Sequence, residues 1–299
     1  MTLTLRKSRI KLSKGQLFWR EIGRGQAVVF LHGALTDGKE WIPTMEHIKN
    51  QFHCFVPDLL GMGDSGKPKC SYSIQLEVDC LKEYFHSLRI HQFYLVGHGL
   101  GAWVAASYAL HHPQHVMGLI LITPEGVKPV GCSNPWQAGK WLITCPSLVV
   151  GILKIIYPIM RMLGSGKEIP KWLVLRKKLR RLPVAKQLLC QRKWREIAGE
   201  LLQERLGELV VPTLVLVNPL DEPNNIAMAQ LYAELIPEAE IKELSFPDPN
   251  LLSQESSGIK NHILEFLTGK VLRTEYIPVL QICPHPPTSS LKMDEGEPD

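Results

Sequence analysis

Five short apolar runs separated by helical segments place the strongest constraint on how this chain can fold. The runs are residues 27–31, 54–56, 93–96, 119–122 and 213–217. They are apolar throughout rather than alternating, which is typical of strands buried on both faces of a parallel sheet. Helical spacing between several of them predicts crossover helices. The pattern therefore predicts an α/β fold with a mostly parallel central sheet and helices on both faces.

Two departures from this pattern divide the chain. Residues 134–206 contain no strand-like run and have helical character, whereas strand character resumes at residue 211. The sequence therefore predicts an α/β core from residues 1–133 and 207–270, interrupted by a helical cap insertion. Residues 271–299 are rich in Pro, Ser and acidic residues, so we expect a disordered tail.

Composition and cysteine spacing indicate the class of protein and the cellular compartment. The hydrophobic fraction of 45% suits a globular core and excludes wholesale disorder. The seven cysteines are irregularly spaced with no C-x-x-C pair, which fits a reducing compartment. The first 15 residues lack an apolar core of the signal-peptide type. We therefore expect a cytoplasmic protein.

The cap insertion combines an apolar stretch with a basic one. Its longest uncharged apolar run, residues 141–153, has 13 residues, short of the roughly 20 that span a bilayer. Residues 165–196 carry 11 Lys and Arg against two Glu. Two interpretations stay open: a cap packed on the core beside a solvated basic helix, or peripheral membrane contact through residues 141–196. Few aromatic residues accompany the charge, so we do not expect nucleic-acid binding.

The segment Leu-Val-Gly-His-Gly-Leu-Gly-Ala at residues 95–102 carries the most functional information. An apolar strand runs into G-x-x-x-G and then into a helix of small residues. This is the framework of a nucleophile elbow, G-x-S-x-G. Gly97 and Gly101 suit a sharp strand-to-helix turn because the backbone can approach closely where no β-carbon intervenes.

With this motif the chain resembles the α/β-hydrolase superfamily, especially its epoxide-hydrolase and haloalkane-dehalogenase-like branch. Three further segments carry the resemblance in the family's order: Phe-Leu-His-Gly at 30–33 with Trp41 downstream, residues 57–68, and Val-Asn-Pro-Leu-Asp at 217–221. The resemblance implies an α/β-hydrolase fold with a helical cap.

The same resemblance implies where the catalytic residues would lie, and two of these positions lack the side chain that catalysis requires. The nucleophile position is Gly99, which has no side-chain atom to attack a substrate, so covalent catalysis there is excluded. The base position falls near Pro249, in a loop without histidine. The acid position is Asp221, with Glu125 as an alternative, but neither has a catalytic imidazole to orient. We expect His98 to pack behind the elbow.

The oxyanion side of the site depends on the backbone rather than on the missing side chains. We expect the amides of Ala34 and Leu100 to keep their positions because the fold sets them. The predicted pocket and oxyanion residues are His32, Gly33, Ala34, Trp41, His98, Gly99 and Leu100.

Other catalytic arrangements find less support in the sequence. A relocated nucleophile has Ser65, Ser107, Cys54 and Cys132 as candidates, and none has a base beside it in a recognised motif. No histidine and carboxylate spacing predicts a metal site, and no complete glycine fingerprint predicts a nucleotide cofactor. We therefore expect neither metal nor cofactor.

Three functional hypotheses remain. The first is a catalytically degenerate hydrolase-fold protein, a pseudoenzyme that binds a small apolar ligand or a protein partner through pocket and cap. The second is a hydrolase of ester or epoxide type with a non-standard constellation, in which Asp221 or Glu125 acts on a bound water. The third, compatible with the first, is a membrane-peripheral protein that works through its insertion.

Overall fold

The fold is built on one mixed sheet of eight strands. The computed structural model describes residues 3–131, 145, 149–152, 155–157, 169–244 and 257–269. The strand order is β1-β2-β4-β3-β5-β6-β7-β8. Pairs β1–β2 and β2–β4 are antiparallel, and all other neighbours are parallel. The strands are β1 (Arg6–Lys11), β2 (Gln16–Gly23), β3 (Gln26–Leu31), β4 (Phe52–Pro57), β5 (Phe93–His98), β6 (Val116–Ile122), β7 (Thr213–Val217) and β8 (Ala239–Glu243).

Helices cover both faces of this sheet. They are α1 (Ile42–Ile48), α2 (Ile74–Ser87), α3 (Leu100–His111), α4 (Ile169–Arg181), α5 (Pro183–Lys186), α6 (Trp194–Ala198), α7 (Pro223–Leu235) and α8 (Ser257–Leu267). Alternate residues of β3 point to opposite faces, as the strand period of two requires. Val29 and Leu31 join the core formed with α2, α3 and α7. Val28 and Phe30 join the core formed with α1 and α8. The predicted α/β-hydrolase fold is confirmed.

The edge strand β8 is not among the five apolar runs. Its sequence Ala-Glu-Ile-Lys-Glu is half-buried to exposed. A strand at the edge of a sheet has only one neighbour and faces water, so it does not need a continuous apolar run. Its pairing with β7 runs from Thr213 opposite Ala239 to Val217 opposite Glu243.

The described part of the cap insertion is mainly helical. It comprises α4, α5, α6 and a short π-helical turn, Gln187–Gln191, between α5 and α6. Most of residues 132–168 and the predicted tail at 271–299 lie outside the described residues, so the domain boundaries stay predictions. Within the part of the chain that the structure describes, no helix is long and apolar enough to cross a membrane.

Candidate functional site

The elbow between β5 and α3 is held by backbone contacts. A β-carbon placed on Gly97 would lie 2.4 Å from the carbonyl oxygen of Gly101, and one on Gly101 would lie 2.4 Å from that of Leu31. Neither position has room for a larger residue. The carbonyl oxygen of Gly99 accepts hydrogen bonds from the amides of Ala102 and Trp103 at 3.1 and 3.2 Å. The tight turn predicted from the glycine spacing is therefore present.

Gly99 differs from its two neighbouring glycines because space lies above it. Its backbone has φ +52° and ψ −114°, a conformation that favours glycine. Among the described residues, and apart from its chain neighbours, a β-carbon there would contact Glu125 Oε1 at 3.4 Å and Gly33 Cα at 3.9 Å. The place from which a nucleophile would project is thus open, and a carboxylate oxygen lies at its edge.

The segment that delivers Glu125 carries backbone strain. Thr123, at the end of β6, has φ +42°, which is unusual for a β-branched residue. The Glu125 amide donates to the Gly99 carbonyl oxygen at 3.3 Å, and the Tyr232 hydroxyl donates to the Glu125 carbonyl oxygen at 2.7 Å. These bonds hold the strained turn against the elbow. Such outliers concentrate at functional sites.

The oxyanion loop after β3 is held in place by hydrogen bonds of the His32 side chain. The Leu59 amide donates to His32 Nε2 at 3.0 Å, and His32 Nδ1 donates to the Gly33 carbonyl oxygen at 2.9 Å. Both ring nitrogens of His32 are therefore occupied in positioning the loop. In the described part of the chain, the buried amides of Ala34 and Leu100 have no hydrogen-bond acceptor. Buried N–H groups are rarely left without a partner, so both are suited to receive a ligand oxygen.

A carboxylate that the sequence analysis missed joins the elbow to the oxyanion loop. Glu40 Oε1 accepts from the Gly33 amide at 3.0 Å and from His98 Nδ1 at 3.3 Å. Glu40 lies in the polar run Asp37–Glu40, which is typical of a surface turn, and nothing in that run signals burial. His98, predicted to pack behind the elbow, pairs with Glu40 and keeps 23% of its side chain exposed.

The electrostatic environment of this pair is strongly acidic. Burial alone lowers the pKa of His98, but Glu40, with smaller contributions from Glu125 and Asp221, raises it above the ordinary value. Burial alone raises the pKa of Glu40, but His98 lowers it below its usual range. The two shifts have one cause: the imidazolium and the carboxylate each favour the charged form of the other.

Asp221 follows β7, as the resemblance predicts, and is only partly satisfied. Burial, the largest cause, and the neighbouring Glu222 raise the pKa of Asp221 to about 6, against the effect of His98. Its buried Oδ2 has no hydrogen-bond partner within the described residues. A carboxyl group with this pKa is partly protonated near neutrality, so it is a weak candidate for a permanently charged triad acid.

Several predicted positions lie elsewhere or outside the described residues. Trp41 is fully buried in the core, 5.1 Å from the ring of Phe30, and does not line the elbow. Pro249, the base position, and Cys132 lie outside the described residues. The part of the chain that the structure describes contains no cluster of three or more His, Cys, Asp or Glu with metal-binding geometry.

Each alternative nucleophile that the structure describes lies in an environment that indicates a structural role and not a catalytic one. Ser65 Oγ donates to the Asp58 carbonyl oxygen at 2.6 Å and accepts from the Phe18 amide at 2.9 Å. Burial in the core raises the pKa of the Cys54 thiol to about 12, which makes it unreactive. Ser107 is buried within α3. The arrangement at the elbow can therefore bind a hydrogen-bond acceptor and hold a water beside a carboxylate, without a covalent nucleophile.

Comparisons with known proteins identify the family and the fold. The chain matches the family model of the alpha/beta hydrolase fold over residues 26–250. An uncharacterized protein of Mycobacterium tuberculosis is 34% identical over 109 residues, which are 36% of this chain and 32% of that protein. A haloalkane dehalogenase of Mesorhizobium japonicum is 32% identical over 125 residues, 42% of this chain and 40% of the enzyme.

A third relative has an acyl-transfer activity in its name. The mouse 1-acylglycerol-3-phosphate O-acyltransferase ABHD5 is 31% identical over 132 residues, covering 41% of this chain and 38% of that protein. The matches span only 32% to 40% of the length of these three curated relatives.

Solved structures share the fold at low sequence identity. A bacterial membrane phospholipase A has a TM-score of 0.69 at 19% identity, with 89% of this chain and 86% of that chain covered. Est816, an N-acyl homoserine lactone degrading enzyme, has a TM-score of 0.68 at 22% identity, with 87% and 100% covered. At these identities the likeness establishes the architecture alone.

Proposed function

This chain belongs to the α/β-hydrolase family, and from that premise we propose that it is a catalytically degenerate member that binds a small ligand non-covalently at the elbow. One observation carries the proposal. The elbow keeps its sharp turn and the open space above it, yet residue 99 is a glycine with no attacking atom. The binding half of a hydrolase site is therefore retained without its nucleophile.

The ligand class follows from the groups that face the space. The two buried amides of Ala34 and Leu100 suit an oxygen acceptor. Glu125 and Asp221 lie on the same side and disfavour a negatively charged group. Leu220, the residue before Asp221 in the sequence, is an apolar side chain that is 61% exposed. We therefore propose a neutral, mainly apolar molecule that carries a carbonyl, such as an acyl ester. The name of the mouse relative, which describes acyl transfer, points to the same chemistry.

Binding of a matched ligand series tests this proposal. We expect methyl octanoate to bind more tightly than octane, which lacks the acceptor, and than octanoate, which carries a charge. Calorimetry with the full chain measures the three affinities. Gly99→Leu fills the open space and should weaken binding of the ester by tenfold or more. Gly207→Leu, at a glycine with nothing within 4 Å of its β-carbon position, is the matched control.

Two results would contradict the proposal. The first is covalent labelling of the protein by a fluorophosphonate probe, which reports an activated nucleophile. The second is equal affinity for ester and alkane, which shows that the two amides do not take part. In both cases the protein should first be shown to retain its fold by circular dichroism.

A second candidate function has one specific observation in its favour. Glu125 Oε1 lies 3.4 Å from the position of a β-carbon on Gly99, so a water in the open space is within reach of this carboxylate. Glu125 can then act as a general base on that water, and the oxyanion amides can stabilise the developing charge. This mechanism predicts slow ester hydrolysis with no acyl-enzyme intermediate. Glu125→Gln should abolish the turnover, whereas Glu222→Gln, on the exposed neighbour of Asp221, should leave a measurable rate.

A further inference from the structure

Exposed apolar side chains are concentrated in the cap insertion. Among the described residues, seven of the eleven large apolar side chains that face solvent belong to residues 149–194. They are Val149, Ile152, Ile155, Ile156, Trp172, Val174 and Trp194. Ile155 alone is 76% exposed. Concentrated exposed apolar side chains mark an interaction surface more often than scattered ones do.

Helix α4 of the same insertion carries a concentration of positive charge. Residues 174, 177, 178 and 181 follow the spacing i, i+3, i+4, i+7, so they share one face. This face holds Val174, which is 55% exposed, together with the exposed Lys177, Lys178 and Arg181. Within the described chain, no carboxylate lies within ion-pair distance of Lys177, Lys178 or Arg181. We call this face and the exposed side chains of the same insertion, Val149, Ile152, Ile155 and Ile156, the basic cap surface.

The opposite face of α4 is anchored, which fixes the direction in which the basic cap surface points. Ile169 and Leu179 are buried, and the buried Arg176 donates to the Cys145 carbonyl oxygen at 2.8 Å. The helix therefore cannot turn its cations inward without losing these contacts. α4 contains no acidic residue that would neutralise the outward face.

We propose that the basic cap surface docks on an anionic lipid bilayer, lying in the plane of the interface. Lys and Arg can extend their charged ends to lipid phosphates while their stems and the aliphatic side chains enter the boundary with the acyl chains. Five exposed isoleucine and valine side chains against two exposed tryptophans favour this occupant over single-stranded nucleic acid, which stacks its bases on aromatic side chains. They also favour it over an acidic protein, which needs no aliphatic insertion. The docking is independent of the ligand proposed for the elbow.

Vesicle flotation with the full chain tests the docking. We expect binding to vesicles of phosphatidylcholine with phosphatidylglycerol, little binding to phosphatidylcholine alone, and release at high salt. The variant Lys177→Ala, Lys178→Ala, Arg181→Ala should lose roughly 100-fold in affinity, because each cation near such a surface contributes about five-fold. The matched control is Lys7→Ala, Arg9→Ala, Lys11→Ala on the exposed strand β1, which removes the same charges and should bind as the wild type does.

A second pair of variants distinguishes the contribution of apolar insertion to vesicle binding from that of charge. Ile155→Asn should weaken binding several-fold, whereas Val210→Asn, at an equally exposed site outside the cap, should not. Equal losses in the α4 and β1 variants would reduce the effect to net charge and overturn the proposal. Displacement from vesicles by polyglutamate or DNA at similar charge concentration would likewise overturn it in favour of a polyanion. Circular dichroism of each variant confirms that the fold persists.

Discussion

Two loops at the carboxyl edge of the same sheet differ in how completely their polar groups are satisfied. In the loop after β4, Asp58 Oδ1 accepts from Arg20 at 2.7 Å and from the Gly38 amide at 2.9 Å. Its Oδ2 accepts from the Asp64 amide at 2.7 Å. Around the elbow, by contrast, two buried amides and one buried carboxyl oxygen have no acceptor or donor among the described residues.

The contrast distinguishes polar groups that stabilise the fold through hydrogen bonds from polar groups that are left for a ligand. A buried polar group without a partner costs about 1–3 kcal/mol, so a chain keeps few of them unless something else binds there. The loop after β4 contributes stability, whereas the elbow keeps unsatisfied polar groups at some cost in stability.

The largest effect is expected from removing the carboxylate that holds the loop after β4. Asp58→Ala leaves the buried Arg20 without its main partner, and breaking a buried pair in this way costs roughly 3–5 kcal/mol. Urea denaturation should show this loss in the free energy of unfolding. Asp64→Asn, at a carboxylate that is 47% exposed, should cost less than about 1 kcal/mol and serves as the control. Similar costs for the two variants would show that the loop is not held by the buried pair.

We expect alanine to cost different amounts of stability at the two elbow glycines, Gly97 and Gly99, because the space around them differs. Gly97→Ala forces a β-carbon against backbone atoms at 2.4–2.6 Å, and such overpacking costs up to about 3 kcal/mol. Gly99→Ala meets no such clash, so only the φ of +52° opposes it, at about 1–2 kcal/mol. Thermal unfolding of both variants gives the order. A larger loss for Gly99→Ala would mean that the space above the elbow is closed in solution.

The Glu40–His98 pair predicts a pH-dependent contribution to stability. The raised pKa of His98 makes its contribution complete below its unfolded value near 6.5, and this contribution is lost as pH rises through the folded pKa. Glu40→Gln should cost about 1.5–3 kcal/mol near pH 6, as for a hydrogen bond to a charged group, and less at higher pH. NMR titration should show a fall in the His98 pKa. Glu46→Gln, on the exposed surface of α1, should leave that pKa unchanged.

The smallest effect concerns Asp221. Its folded pKa of about 6 lies above the unfolded value, so its contribution to stability decreases as pH rises from about 4 to 6. Asp221→Asn should therefore stabilise the protein by about 1 kcal/mol above pH 6 and have little effect below pH 4. Asp79→Asn, at an exposed carboxylate on α2, is the control. A destabilisation above pH 6 would show that Asp221 has a charged partner in solution.

Local patterns in the sequence predicted most of the architecture. Buried strands such as β3 and β7 are recognisable because both faces require apolar residues, whereas the half-exposed β8 has no such requirement. The elbow was predictable from Gly97 and Gly101, since only glycine fits where backbones nearly touch. Glu40 was not predictable, because a carboxylate in a polar turn gives no sign that the fold will bury it.

The sequence by itself determined what this site cannot do, because a glycine at position 99 supplies no reactive atom in any conformation. It also determined the positions of the five buried strands, β3 to β7, through the local distribution of apolar residues. Only the tertiary structure decided which groups surround that glycine. Glu40 and Glu125 come from the segments after β3 and β6, and His98 is the last residue of β5; they meet because these three strands are neighbours in the sheet. Contacts between distant segments depend on strand order and packing, which no local pattern contains.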